Sequence, residues 1–464
     1  MNIIKVNLII ALLAGVLSSC SKSSTAEPFV PVNPTVDSLR VPQYGTPFNK
    51  VPDPRDVVIY QVNMRVFSQQ GDFAGVVKRL DNIKSLGANT IYLMPIYPVG
   101  TEKALNSPYC IKDYTQVNTE FGNLQQLRTL VDEAHNRGLT VILDWVANHT
   151  AWDHVWMKQH KDWYLQDNNG NVVSPPGTGW NDVAQLNFGN KNMRLAMISA
   201  MRYWVLAANV DGFRCDYTDG PPVDFWQQAT DSLRKVNTHT LLLMAEGSRP
   251  GNFNAGFQYN FGFGYFGYLK RIFEQKAPVS GIDSVNNAEY AQASDAQRMV
   301  RYTTNHDVNG SDGTPEELFG GKRGAMAAFV ATAFMKNVPM VYNGQEVATP
   351  HRLTFPFTST KIDWSLNPDV TVEYSNIINK RQSLDAVKRG EIQYYNTADI
   401  CAYVRTLGTQ QVLVLVNMRN TAETFHVPTS LQGTQWTNVF TNDNQVINAT
   451  VAIAPFEYIV LKRN

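Results

Sequence analysis

The sequence predicts an α/β fold: a (β/α)8 barrel with a short insertion after its third strand, followed by a C-terminal antiparallel β domain. Three observations predict it. Apolar runs of strand length alternate with helix-period segments from Val57 to about residue 384. Acidic or polar residues close several of those runs, as on the rim of a parallel barrel. Beyond about residue 385 the pattern changes to short alternating runs, as in antiparallel strands.

Val57–Val62 reads as the first strand. Val76, Leu80, Ile83 and Leu86 then recur at helical period on one face, and Gly87 ends that helix. Thr90–Pro95 is the second strand. Leu124, Leu127, Val131 and Ala134 mark the next helix, stopped by Gly138 before the third strand, Leu139–Val146. Residues 150–190 are too long for a plain turn and carry Trp152, Trp156, Trp163 and Trp180. These four read equally as a packed excursion or as platforms for sugar rings. Val210–Cys215, Leu241–Ala245, Gly256–Asn260, Met299–Thr304 and Pro339–Tyr342 are strands four to eight, the sixth being the weakest signal. Cys401–Arg405, Gln411–Asn417, Thr424–Val427 and Tyr458–Leu461 supply the C-terminal strands. An open doubly wound sheet is the rival fold, but no glycine-rich nucleotide fingerprint follows the first strand.

The domain boundaries expected are 1–20 for a leader, 21–55 for a tether, 56–384 for the barrel and 385–464 for a C-terminal β-sandwich. The leader has Lys5, the mainly apolar segment Val6–Leu17 and the ending Leu17-Ser-Ser-Cys20. It is too short to span a bilayer as a helix. Its ending resembles a bacterial lipobox, which implies cleavage before Cys20, lipidation of that thiol and export to the periplasmic or cell-surface side of a membrane. Prolines at 28, 31, 34, 42, 47, 52 and 54 make the following stretch read as extended and exposed. Lys plus Arg number 40 and Asp plus Glu number 40, so nothing favours nucleic acid or an anionic surface. Membrane contact is expected through the lipid anchor alone. The remaining cysteines, Cys110, Cys215 and Cys401, are odd in number and lack metal-ligand spacing, so they read as buried small apolar residues.

Asp216, Glu246 and Asp307 close three separate strand-like runs. Like charges gathered on one rim raise one another's pKa. That suits a protonated acid beside an ionised nucleophile, the arrangement that cleaves glycosidic bonds with retention.

Asp144-Trp-Val-Ala-Asn148-His149, Gly212-Phe-Arg214-Cys-Asp216, Ala245-Glu246-Gly247 and Thr304-Asn305-His306-Asp307 resemble, in order, the four signature regions of the α-amylase family, glycoside hydrolase family 13. Ser107-Pro-Tyr109, continuing through Asp113-Tyr114, resembles the loop after the family's second strand. Asp182–Asn187 resembles its fifth region, and Gly344-Gln345-Glu346 its eighth-strand motif. The resemblance implies Asp216 as nucleophile, Glu246 as acid and base, and Asp307 as stabiliser of the transition state. It implies that Arg214 orients Asp216 and keeps it ionised, that His149 and His306 contact sugar hydroxyls, and that Tyr109 stacks beneath the sugar. Asp144, inside its strand, is expected to organise the rim rather than touch substrate.

The implied activity is retaining hydrolysis of α-1,4-linked glucans or maltooligosaccharides. Alternatives are an α-glucosidase, a neopullulanase-like enzyme or a transglycosylase. A non-catalytic sugar-binding protein on the same barrel is the alternative from another class; such relatives lose one or more acids, and this chain keeps all three. The sequence departs from the family after the nucleophile, where Tyr217-Thr-Asp219-Gly220 stands in place of a Lys-His pair. No cofactor is required. Asn148 matches a calcium-binding residue of many relatives, so Ca2+ is admitted, with only Asp153, Asp162, Asp167 and Asp182 as acidic partners nearby and no metal ligand assigned.

Overall fold

The computed structural model describes residues 41–464, so the leader, Cys20 and the tether up to residue 40 lie outside the described residues. Eight parallel strands close into a barrel: β1 (Ile59–Val62), β2 (Thr90–Leu93), β3 (Thr140–Trp145), β4 (Gly212–Cys215), β5 (Leu242–Ala245), β6 (Tyr259–Phe261), β7 (Arg298–Arg301) and β8 (Val338–Tyr342). β1 pairs with both β2 and β8, which abolishes the sheet edges. The strands are largely apolar and buried on both faces because helices cover the outside; the polar exceptions are Gln61, Thr90, Thr140, Asp144, Arg214, Asn260, Arg298 and Arg301.

Local chemistry explains where the strands begin and end. At Gly212 φ is +145°, and a Cβ there would stand 1.9 Å from the Leu242 carbonyl oxygen. Only glycine lets β4 and β5 approach so closely, and that approach sets the register of the two strands that lead to Asp216 and Glu246.

Four expectations need correction. β6 is Tyr259–Phe261 rather than 256–260, because Gly256 takes φ +97° in the preceding turn. β7 ends at Arg301, short of Thr304, since the chain turns there towards Asn305, whose side chain caps the helix His306–Ser311. The single helix expected after β1 is two, Phe73–Val77 and Leu80–Ser85, divided at Arg79. The described end of the tether is packed rather than free: the Tyr44 hydroxyl donates to Asp132 at 2.6 Å, and Phe48 stacks on His135 at 4.3 Å.

After β3 the excursion returns to form a two-stranded sheet, His149–Ala151 with Val183–Gln185. The C-terminal region builds a six-stranded antiparallel sheet in the order Glu391–Tyr394, Ile400–Leu407, Gln410–Asn417, Tyr458–Arg463, Thr434–Asn438, Asn444–Ile447. A pair of strands, Glu423–His426 and Thr450–Ile453, covers it, with Phe425, Trp436, Leu413 and Leu415 between. Against this region lies the helix Gly321–Ala333, buried along its length from Gly324. The Tyr403 hydroxyl donates to Ala331 O at 3.1 Å, and Arg405 Nη1 to Phe334 O at 3.2 Å.

Candidate active site

The C-terminal ends of the barrel strands surround a cavity of about 990 Å3, large enough for several sugar units. Tyr109, His149, Asp216, Glu246, His306 and Asp307 all line it. Arg214 lies beneath, fully buried, one residue before the end of β4.

Arg214 is the hub. Its Nη1 donates to Asp216 Oδ1 at 3.0 Å and to Asp144 Oδ1 at 2.7 Å. Its Nη2 forms an ion pair with Glu246 Oε1 that lacks hydrogen-bond geometry. Asp216 and Glu246 thus sit on the two terminal nitrogens of one guanidinium. Both side chains are only 13% exposed, whereas that of Asp307, which lines the same cavity, is 60% exposed. A single planar fork holding both carboxylates fits the roughly 5–5.5 Å spacing of retaining enzymes better than the roughly 6.5–9.5 Å of inverting ones.

Burial is the largest influence on both acids and favours their neutral forms. It lifts Asp216 to about 7 against the opposing pull of Arg214, helped by the neighbouring charges of Asp144 and Asp307. Glu246 is pushed well above the ordinary carboxylate range by burial, with Arg214 again opposing and Asp216 adding repulsion. Arg214 favours the ionised form of Asp216, in the direction expected, but here it limits a rise caused by desolvation instead of bringing the group below its ordinary range. One backbone donor, Tyr217 N–H at 2.9 Å from Oε2, orients Glu246. Tyr217 takes φ +43°, an uncommon conformation for a non-glycine residue, and this turn aims its N–H at the acid.

The remaining predicted residues form a connected network. Gln61 Nε2 lies 2.7 Å from His306 Nδ1, and the Tyr109 hydroxyl 2.6 Å from His306 Nε2. The Tyr109 hydroxyl also donates to Asp144 Oδ2 at 3.0 Å, beside the Tyr92 hydroxyl at 2.6 Å. With the Gln61 amide donating, His306 carries its proton on Nε2. Burial holds both histidines neutral, His149 at about 4 and His306 below its usual value. Tyr109 and His306 stack with centroids 5.4 Å apart.

Asp144 is fully buried and accepts from Arg214, Tyr92 and Tyr109, so it touches side chains rather than the cavity. Gln61 and Tyr92 were not anticipated; a polar residue inside the apolar run Ile59-Tyr-Gln-Val62 was the available signal. The four tryptophans divide. Trp156 and Trp163 pack edge-to-face at 5.1 Å, and Trp152 lies under Lys103. Trp180 lines the cavity instead, edge-on to Tyr217 at 5.0 Å and to His149 at 5.5 Å.

The residues do not fit a calcium ion at Asn148. Its Oδ1 and backbone oxygen both accept from Gln185 Nε2, at 3.3 and 3.0 Å, and its Nδ2 donates to Gln185 Oε1 at 3.1 Å. A neutral amide takes the oxygens a cation would need. Asp153 is paired with Lys112 at 2.9 Å, and Asp162 accepts from Asn190 at 2.8 Å. Among the described residues no cluster of three His, Cys, Asp or Glu stands ready for a metal. The three described cysteines, Cys110, Cys215 and Cys401, are unpaired and buried.

Residues 44–390 match the family described as "Alpha amylase, catalytic domain". The fold superposes on a noncanonic maltogenic alpha-amylase from Thermotoga neapolitana with a TM-score of 0.78 at 26% identity, covering 89% of this chain and 99% of that one. For an alpha-amylase from Lactobacillus plantarum the TM-score is 0.80 at 25% identity, covering 89% and 100%. Alpha-amylase 2 of Dictyoglomus thermophilum is 24% identical over 402 residues, which span 80% of this chain and 68% of that protein. With the family's acids gathered on one rim and its catalytic-domain pattern matched over most of the chain, the protein belongs to the alpha-amylase family of glycoside hydrolases.

Proposed function

We propose that this enzyme hydrolyses α-1,4-glucosidic bonds of starch-type glucans or maltooligosaccharides with retention of configuration. The observation that carries the reading is the shared hold of Arg214 on Asp216 and Glu246, with Asp307 lining the same cavity. Asp216, which accepts from Arg214 Nη1 at 3.0 Å, acts in its ionised form and attacks the anomeric carbon. Glu246, still protonated, gives its proton to the leaving glycosidic oxygen as that bond breaks. A water then gives its proton to Glu246 and its oxygen to the anomeric carbon, which frees Asp216. Asp307 accepts from sugar hydroxyls and is worth most when the ring carries positive charge. His149 and His306, both neutral, serve the same ring as hydrogen-bonding groups, and Tyr109 offers it an aromatic face.

Transfer of the glycosyl group to a sugar hydroxyl instead of water is the second reading. It is favoured by the aromatic pair Trp180 and Tyr217 beside the acid, where an acceptor sugar would sit. The lipobox-like ending at Cys20 supports export with a lipid anchor at that residue.

The test compares maltooligosaccharides with an aryl glycoside whose leaving group needs little protonation. Glu246→Gln should lose about 10²–10⁴-fold in kcat/KM on the natural substrate and much less on the activated one. Asp307→Asn should slow both, since it acts on the sugar. Equal losses for Glu246→Gln on the two substrates would show that Glu246 is not the acid.

A further inference from the structure

Phe263, Leu105 and Phe355 are exposed apolar side chains on the cavity wall that the chemistry above leaves unused, and the last two, 62% and 50% exposed, share one support. Large apolar surface left open beside a cavity marks a contact surface. The two come from different loops, one after β2 and the other after β8. A single buried guanidinium, that of Arg65 just beyond β1, holds both loops. Its Nη1 donates to Asn106 O at 2.8 Å and to Pro356 O at 3.0 Å, the carbonyls of the residues that directly follow Leu105 and Phe355. Its Nη2 donates to Asn106 Oδ1 at 3.1 Å and to Glu120 Oε2 at 2.9 Å, and its Nε to Glu120 Oε1 at 2.9 Å. Phe357, itself buried, props Phe355 edge-on with centroids 6.0 Å apart.

Barrel order says which part of a sugar chain this wall meets. β1 lies diametrically across the ring from β5, whose end carries Glu246. An acid must stand beside the leaving group, so the leaving half of the chain lies towards β5. The half that becomes bound to Asp216 extends towards β8, β1 and β2.

We infer that Leu105 and Phe355 form a clamp for glucose units of the non-reducing portion, at least two rings beyond the one that is cleaved. Arg65 is its positioning residue, setting the distance between the two loops. The clamp binds apolar sugar faces and makes the enzyme favour longer glycone segments. This inference rests on the glycosidase reading.

The test uses two aryl glycosides with one leaving group, an α-maltoside and an α-maltotetraoside. Phe355→Ala is expected to lose about tenfold in kcat/KM on the tetraoside, carried by KM, with the maltoside changed by less than about twofold. Arg65→Lys keeps the charge but cannot reach both carbonyls, and the same KM-borne loss is expected. If Arg65→Lys fails to fold, the exposed Phe355 variant decides alone. Equal losses on both substrates, a loss carried by kcat, or no loss on the tetraoside overturns the clamp. A wild-type enzyme that cleaves neither glycoside removes the hydrolase reading, and the clamp with it.

Discussion

Neutralising Asp144 separates its electrostatic role from its mechanical one. Asp144 Oδ1 and Asp216 Oδ1 share Arg214 Nη1 at 2.7 and 3.0 Å, so the two oxygens are no more than 5.7 Å apart, the sum of those distances. At an effective dielectric near 20, two unit charges at that spacing repel by about 3 kcal/mol, or about two pKa units. The cavity admits some solvent to Asp216, so a shift of about one to two units is the reasonable expectation. In Asp144→Asn the amide oxygen can still accept from Arg214 while its NH2 faces the Tyr92 and Tyr109 hydroxyls, which can rotate to accept. The fold therefore loses a charge-assisted bond and keeps a neutral one, a cost of about 1–1.5 kcal/mol. The sign follows from the mechanism. Activity requires ionised Asp216, so kcat/KM falls as pH drops through its value of about 7. Removing the like charge lowers that value, and the acid limb of the kcat/KM profile should move to lower pH by one to two units. The assay is kcat/KM against pH for both enzymes, with a denaturant midpoint to measure stability. An acid limb that stays in place or rises refutes the electrostatic coupling.

Because Gln185 satisfies Asn148, a chelator should leave the thermal midpoint of the wild-type enzyme unchanged; a fall on adding EDTA would show a bound cation. Gln185→Ala should cost about 1–3 kcal/mol by leaving the Asn148 side-chain oxygen without its donor, read from denaturant unfolding. Cys20→Ala should release the enzyme from the membrane fraction without altering its specific activity, and a mature wild-type chain that carries no lipid would refute the anchor.

Much of the barrel was legible because its strands are buried on both faces and read as continuous apolar runs, while the helices repeat at another period. The signal fails where local sequence carries no period. Tyr259–Phe261 is three residues long and follows a glycine turn, so its start was misplaced. Thr434–Asn438 and Asn444–Ile447 were missed because their faces are largely solvated and polar, leaving little alternation. At the site, residues in recognisable motifs converge as expected. Gln61, Tyr92 and Arg65 were not foreseen, since each acts through partners far away in the chain: Gln61 reaches His306, and Arg65 reaches Pro356. The tether expectation failed for a related reason. Proline content describes the backbone, but Tyr44 and Phe48 find their partners on a helix about ninety residues later.

The contact between the helix Gly321–Ala333 and the C-terminal strands limits how this chain can be cut. That helix is rich in alanine and has no polar side of its own; from Gly324 onward every residue is shielded. Its last carbonyls are taken by arginines from elsewhere, Ala333 O by Arg381 at 2.9 Å and Phe334 O by Arg405 of the C-terminal sheet. A fragment ending near residue 390 would keep every catalytic group yet expose an uncharged alanine-rich flank to water. Truncation at that seam therefore yields an aggregation-prone barrel rather than a minimal enzyme, and chimeras that exchange the tail must carry this helix with it.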